Sequence, residues 1–376
     1  MFDIKKINAL FFIFLCIGFG GVSHADQLYQ SDEHDFRLVT VTSGLTRPWS
    51  LAFLPNGDML VTERIGRLRI IKQGVLDPRP IEGLPENIYA AGQGGLLDVV
   101  LHPDFEENRL VYFSYAAKSQ TGAGTEVARA QFIEGELLNR ETIFVVTPKT
   151  PGQLHYGSRM VFADDGTLFI TTGDRYDRMH DAQDPSNHLG AIVRINEDGT
   201  VPGDNPFIHH KHNKPEVYSY GHRNVQGITR RPADNSIWAH EHGPRGGDEV
   251  NKLLAGANYG WPAITYGIDY SGAIISDQTH APGMQQPIVY WDPSIAPSGM
   301  TFYQGDRFAH WQGDLFVGAL AKKHLRRLVM KGDQVIRQEV LLGGFARIRD
   351  VRSGPDGYLY ILTDENNGKL LRLEPI

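Results

Sequence analysis

Two histidines, a Gly-Pro bend, an arginine and three carboxylates crowd into residues 240 to 249, read as HEHGPRGGDE. Imidazole can accept a proton near neutral pH, guanidinium pairs with carboxylate, and carboxylates and bend carbonyls suit a hard cation such as Ca²⁺. That chemistry needs partners from elsewhere in the chain. Candidates are Gln93-Gly94-Gly95, His155-Tyr156-Gly157, Arg223-Asn224-Val225-Gln226-Gly227 and Arg347-Ile348-Arg349, each placed just before a short apolar run.

The elements that must position them form a repeat. Residues 51–64, 99–116, 160–175, 228–243, 300–320 and 351–365 share one plan: a short β-rich run, a turn rich in Pro, Asp or Gly, and a second apolar run. Each reads as a β-hairpin. Copies start far enough apart for four strands apiece, and no window of similar strength shows helical periodicity. The expected fold is all-β: a six-bladed β-propeller with four antiparallel strands per blade. Two tandem sandwiches fit less well, because no linker-like stretch divides the chain.

In a propeller, segments entering a blade's first strand and segments leaving its second share one face. The polar segments above should therefore meet at one channel mouth, with His155, Arg223 and Arg347 around the axis and the 240–249 bend overlooking them. Arginines gathered there call for an anionic ligand, and the carbonyls of Gly243 and Pro244 suit a metal.

At these residues the chain resembles the family of soluble glucose dehydrogenases and aldose sugar dehydrogenases that use pyrroloquinoline quinone (PQQ). The resemblance spans nearly all of the chain after its first residues and rests on GQGGLLDVVLHPDF, SYGHRNVQG, HEHGPRGGDEVN, NYGWP and RIRDVRSGPDGYLY, in that order. It implies a propeller with PQQ across the mouth, Ca²⁺ at its quinone edge, and aldoses oxidised at C1 to the lactone by hydride transfer to PQQ. His155 resembles the family's general base, and Arg223 the residue that stabilises charge on the quinone oxygen. Gln93, Asn224, Tyr270, Arg347 and Arg349 match cofactor contacts. Gly243 and Pro244 match carbonyl ligands of the catalytic Ca²⁺, and Glu249 and Tyr259 ligands of a second, structural Ca²⁺. Where relatives carry a cofactor-binding lysine this chain has Ala321, so Lys322 is the nearer candidate. Leu154 replaces a polar residue near the sugar.

Composition narrows the function classes. A net charge of −7 disfavours nonspecific binding to nucleic acid. Lys5 and Lys6, the apolar run from Ala9 to Gly21, and Ser23-His24-Ala25 read as a signal peptide over residues 1–25, leaving a catalytic domain over 26–376. The run is shorter than the roughly 20 residues a spanning helix requires, so a periplasmic location without a membrane span is expected. Cys16, the only cysteine, would leave with the signal. The expected partners are an aldose and an unidentified electron acceptor, and a monomer is expected. Two other functions fit a propeller: a Ca²⁺-dependent lactonase and a non-catalytic sugar- or protein-binding module. HHKH (209–212) reads as an exposed loop, and the basic run at 322–327 as a solvated strand edge.

Overall fold

A computed structural model describes residues 27–376; the signal-peptide expectation, with Cys16, lies outside the described residues. All six repeated segments fold as antiparallel hairpins. Their strands are Pro48–Phe53 with Met59–Glu63, Leu96–Leu101 with Leu110–Lys118, and Met160–Phe162 with Leu168–Thr171. The remaining three are Val225–Arg230 with Ile237–Glu241, Pro297–Phe302 with Leu315–Ala319, and Ile348–Ser353 with Leu359–Thr363. Each hairpin is the inner half of one sheet, and the first strands of successive sheets touch all the way round, the sixth against the first. The ring makes a six-bladed β-propeller. Among the described residues the helical elements are one four-residue α-turn, Phe105–Asn108, and two 3-10 turns.

Blades one to five have four antiparallel strands each, and the sixth has five. Its extra strands come from the start of the described chain: Phe36–Leu45 pairs with Gly368–Pro375, and Leu28–Tyr29 pairs outside it. This pairing closes the ring between the two ends of the chain.

Inner strands are apolar on both faces because each blade is covered on both sides. In the third blade Leu168 and Ile170 pack toward the second blade with Tyr112 and Val127, while Phe169 packs toward the fourth with Val225 and Ile228. The same alternation gives Ile237 and Ala239 to one interface and Trp238 to the next. Between blades five and six, Phe316 lies fully buried against Ile348, Leu359 and Leu371. Phe316→Ala should destabilise the protein by about 3–5 kcal/mol in urea unfolding; a loss below about 1 kcal/mol would mean that this interface is loosely packed.

One surface expectation is corrected. Lys322 and Lys323 are exposed, but Arg327 is fully buried and pairs with Asp314 (2.7 Å), Glu33 (2.7 Å) and Glu339 (3.0 Å). A lone guanidinium could not be buried there; three carboxylates from separate segments make it possible. The loop at His209, His210, Lys211 and His212 is exposed, as the sequence implies.

Candidate active site

Residues from all six blades line one cavity of about 350 Å³ at the mouth. Its walls include Trp49 and Arg64 from the first blade, Gln93 from the second, Tyr156 and Gly157 from the third, and Gln226 and His242 from the fourth. Ala296 and Leu320 come from the fifth, and Arg347, Arg349 and Asp364 from the sixth. These are segments entering first strands and leaving second strands, as the repeat implies; Gln93, Arg347 and Arg349 line this cavity, whereas His155, Arg223 and Asn224 lie outside its lining.

An ion cluster, largely buried, joins the second, third and sixth blades. Arg159 lies 3.1 Å from Asp350 and 3.5 Å from Asp98, while Arg352 reaches the same two carboxylates at 2.9 and 3.1 Å. Arg159 also donates to the Arg349 carbonyl at 3.0 Å and stacks on Trp49, which ties this cluster to the cavity walls.

His155 sits at the start of the third blade with a left-handed backbone, φ +51°. Its amide donates to Gln93 Oε1 at 2.8 Å, fixing the two residues together. Gly173 packs against its carbonyl so closely that a Cβ there would lie 2.4 Å from the oxygen, so only glycine fits. The imidazole is nearly buried, and Nδ1 lies 2.6 Å from Asp174 Oδ1. An ionised carboxylate only accepts, so Nδ1 carries the proton and Nε2 presents its lone pair. No described residue hydrogen-bonds Nε2.

Asp174 is itself fixed by Trp261 Nε1 on Oδ2 at 2.8 Å and by the Tyr176 amide on Oδ1 at 2.9 Å. Burial holds the His155 pKa below the ordinary imidazole value; the Asp174 hydrogen bond and charge oppose that shift, and Arg223 and Arg175 reinforce it. Burial would raise Asp174, but His155, Arg223 and the Tyr176 amide keep its carboxyl below the usual carboxylate range. At neutral pH the pair is therefore a neutral imidazole on an ionised carboxylate.

Arg223 is held beside this pair. Its Nη1 donates to the carbonyls of His242 (3.1 Å) and Gly243 (2.7 Å), its own carbonyl accepts from the Asp174 amide at 2.8 Å, and Nε is buried with no partner. Its cation also lies 5.9 Å from the ring of Tyr270, which is more than half exposed. Asn224 is buried and accepts from the Gly157 amide at 3.1 Å through Oδ1, next to the His155 turn. Arg347 and Arg349 share Asp364 Oδ2, at 3.1 and 2.9 Å. The mouth arginines are therefore partly neutralised by a carboxylate of the chain itself, Asp364.

Lys322 does not line the cavity. The chain turns so that the Leu320 carbonyl accepts Arg347 Nη1 at 3.2 Å and the Ala321 amide is bonded to Ile295, which leaves Lys322 on the exposed tip, lining an outer groove with Trp291 and His324.

Beside the main cavity lies a much tighter one of about 10 Å³, lined by Arg223, Glu241, His242, Gly243, Glu249 and Tyr259 among others, with room for about one water-sized sphere. Burial and the neighbouring charge of Glu241 hold the Glu249 carboxyl well above its ordinary value. The Tyr259 hydroxyl is committed to the Leu254 amide and the Lys252 carbonyl, so a metal would meet its main-chain oxygen. Asp248 accepts from the Gly243 amide at 2.9 Å, fixing the bend, and burial pushes its carboxyl up to about 6. Pro244 is buried in that bend but does not line the tight cavity.

The comparisons with known proteins identify the class as that of sugar dehydrogenases. The chain belongs to the glucose/sorbosone dehydrogenase family, whose model matches residues 45–372. It is 45% identical over 338 residues to the aldose sugar dehydrogenase YliI of Escherichia coli, covering 88% of this chain and 91% of that one. A crystal structure of a glucose dehydrogenase matches with a TM-score of 0.87 and 48% identity, covering 89% of this chain and 98% of that one. The PQQ-bound aldose sugar dehydrogenase of Streptomyces coelicolor matches with a TM-score of 0.74 and 28% identity, covering 90% and 98%.

Proposed function

We propose that this protein is a periplasmic PQQ- and Ca²⁺-dependent dehydrogenase that oxidises aldoses at C1 to the lactone. The observation that carries the reading is the His155–Asp174 pair beside a cavity with orphaned guanidinium donors. Arg64 and Arg349 in its wall each have Nε buried without a partner, as does Arg223 in the tighter neighbouring cavity, and Arg64, Arg347 and Arg349 face a single carboxylate, Asp364, in the main wall. A flat tricarboxylate such as PQQ fits that surplus, with Gln93, Arg347 and Arg349 as its holders and Asn224 and Tyr270 at its margin. Glu249, the Tyr259 carbonyl and the Gly243-Pro244 bend offer oxygen ligands to Ca²⁺.

When bound, PQQ supplies the acceptor for the hydride leaving C1, and Ca²⁺ the Lewis acid that polarises it. His155 Nε2 takes the C1 hydroxyl proton. Asp174 keeps the productive tautomer and stabilises the imidazolium that forms. Arg223, pinned by two carbonyls, presents a fixed positive charge where negative charge develops. The mouth wall carries three arginines and one carboxylate, which disfavours the carboxylate-rich metal centre of a lactonase. No described helix is long and apolar enough to cross a membrane, and the residue 1–25 segment supports export.

The test is to add PQQ and Ca²⁺ to purified apoprotein and follow reduction of an artificial dye across an aldose panel. Dye reduction that requires an aldose, PQQ and Ca²⁺ together is expected. Turnover without PQQ, or none with any aldose, would overturn the proposal.

A further inference from the structure

Arg64 was not among the residues singled out from the sequence, yet it stands in the wall of the main cavity with Gln93, Arg347 and Arg349. It directly follows the second strand of the first blade, and its main chain is fixed on both sides. Its amide donates to the Arg47 carbonyl at 3.1 Å, and Gly95, at φ +142°, packs so closely that a Cβ would meet the Arg64 carbonyl at 1.7 Å. Glycine at 95 is therefore what lets the second blade approach Arg64.

Its side chain has no acid of its own. The adjacent Glu63 is taken by Arg67 at 2.6 Å and Arg69 at 3.3 Å. Arg64 Nη1 donates to the Gly92 carbonyl, and Nε is buried without a partner. Arg349, Arg47 and Arg347 repel it, while Asp364, already shared by Arg347 and Arg349, is the attracting charge. A guanidinium held among like charges is stabilised by an anionic ligand with more than one carboxylate. Lys322 lies in a different groove.

Resting on the PQQ reading above, we infer that Arg64 binds a cofactor carboxylate, serving in this chain as the additional cation that Lys322 is not placed to supply. The Gly92 bond orients the guanidinium next to Gln93, and Nη2, which no described residue hydrogen-bonds, is the donor left for the ligand.

The experiment is an equilibrium titration of Ca²⁺-supplemented apoprotein with PQQ, followed by tryptophan fluorescence, in wild type, Arg64→Gln, Arg64→Lys and Lys322→Gln. Arg64→Gln should raise Kd at least about tenfold, as loss of a charge-assisted bond implies. Arg64→Lys should lose less, and Lys322→Gln should stay within about twofold of wild type. The gap between wild type and Arg64→Gln should narrow at high salt. Wild-type affinity in Arg64→Gln would overturn the Arg64 assignment alone. So would equal losses in the Gln and Lys variants with equally lowered apoprotein Tm, since Arg64 would then only brace Gly92. A larger loss from Lys322→Gln would also overturn it. If wild type binds no PQQ, the cofactor reading itself fails and this assignment falls with it.

Discussion

His155→Ala should lower kcat by about 10²–10⁴-fold while leaving the PQQ dissociation constant within a few-fold of wild type. The side chain supplies a proton acceptor, whereas the Gln93 bond that helps fix the cofactor wall is made by the His155 main-chain amide and survives the substitution. Stopped-flow reduction of the loaded enzyme by an aldose separates the two effects. Wild-type turnover in the variant would remove His155 from the chemistry. Loss of cofactor binding with unchanged turnover at saturation would make it a wall residue.

The pH dependence has a definite sign. A base must be unprotonated, and burial holds the His155 pKa below its ordinary value of 6.5. Activity should therefore be fully present at neutral pH and be lost only as pH falls through a value below 6.5.

Asp174→Asn is the second large effect, with kcat expected to fall about 10²–10⁴-fold. The nearest precedent is the corresponding change in a serine-protease triad, where the wrong tautomer costs about 10⁴. An amide at position 174 can donate to Nδ1, moving the proton to Nε2 and leaving no lone pair for the substrate. Any remaining activity should show its acid limb shifted further toward low pH, because the hydrogen bond and charge that raise the His155 pKa are gone. A merely structural Asp174 would instead lower Tm and leave that limb in place. The kcat–pH profile and the Tm of the same preparation distinguish these outcomes.

The inner hairpins were legible because two alternating apolar runs around a turn are a local signal. The closing strand was not: Phe36–Leu45 pairs with Gly368–Pro375 at the far end of the chain, and only chain closure selects that partner. Among the site residues, Gln93, His155, Arg223, Arg347 and Arg349 could be proposed because each enters a first strand at a matching position in the repeat. Asp174 leaves a second strand at the mouth, but the sequence offers it no partner and so no role; only the geometry across the third blade shows its carboxylate on His155. A better signal was available: Asp174 follows a hairpin whose opening residue is His155, so the two flank one pair of strands. Arg64 was hidden among ordinary strand-edge charges, and the burial of Arg327 depends on acids at three distant positions. Lys322 was misplaced for the opposite reason. Its sequence neighbours match, but the direction of a tight turn decides which side chain faces the axis.

The central claim is spatial, and diffraction from crystals soaked with PQQ and Ca²⁺ tests it most directly. Density for the tricyclic ring among Gln93, Arg347 and Arg349, with Arg223 and His155 alongside, is the expected result. Density instead in the separate surface groove lined by Gln304, Arg307, Arg352 and Asp356, or in the mouth but beyond reach of His155, would contradict it.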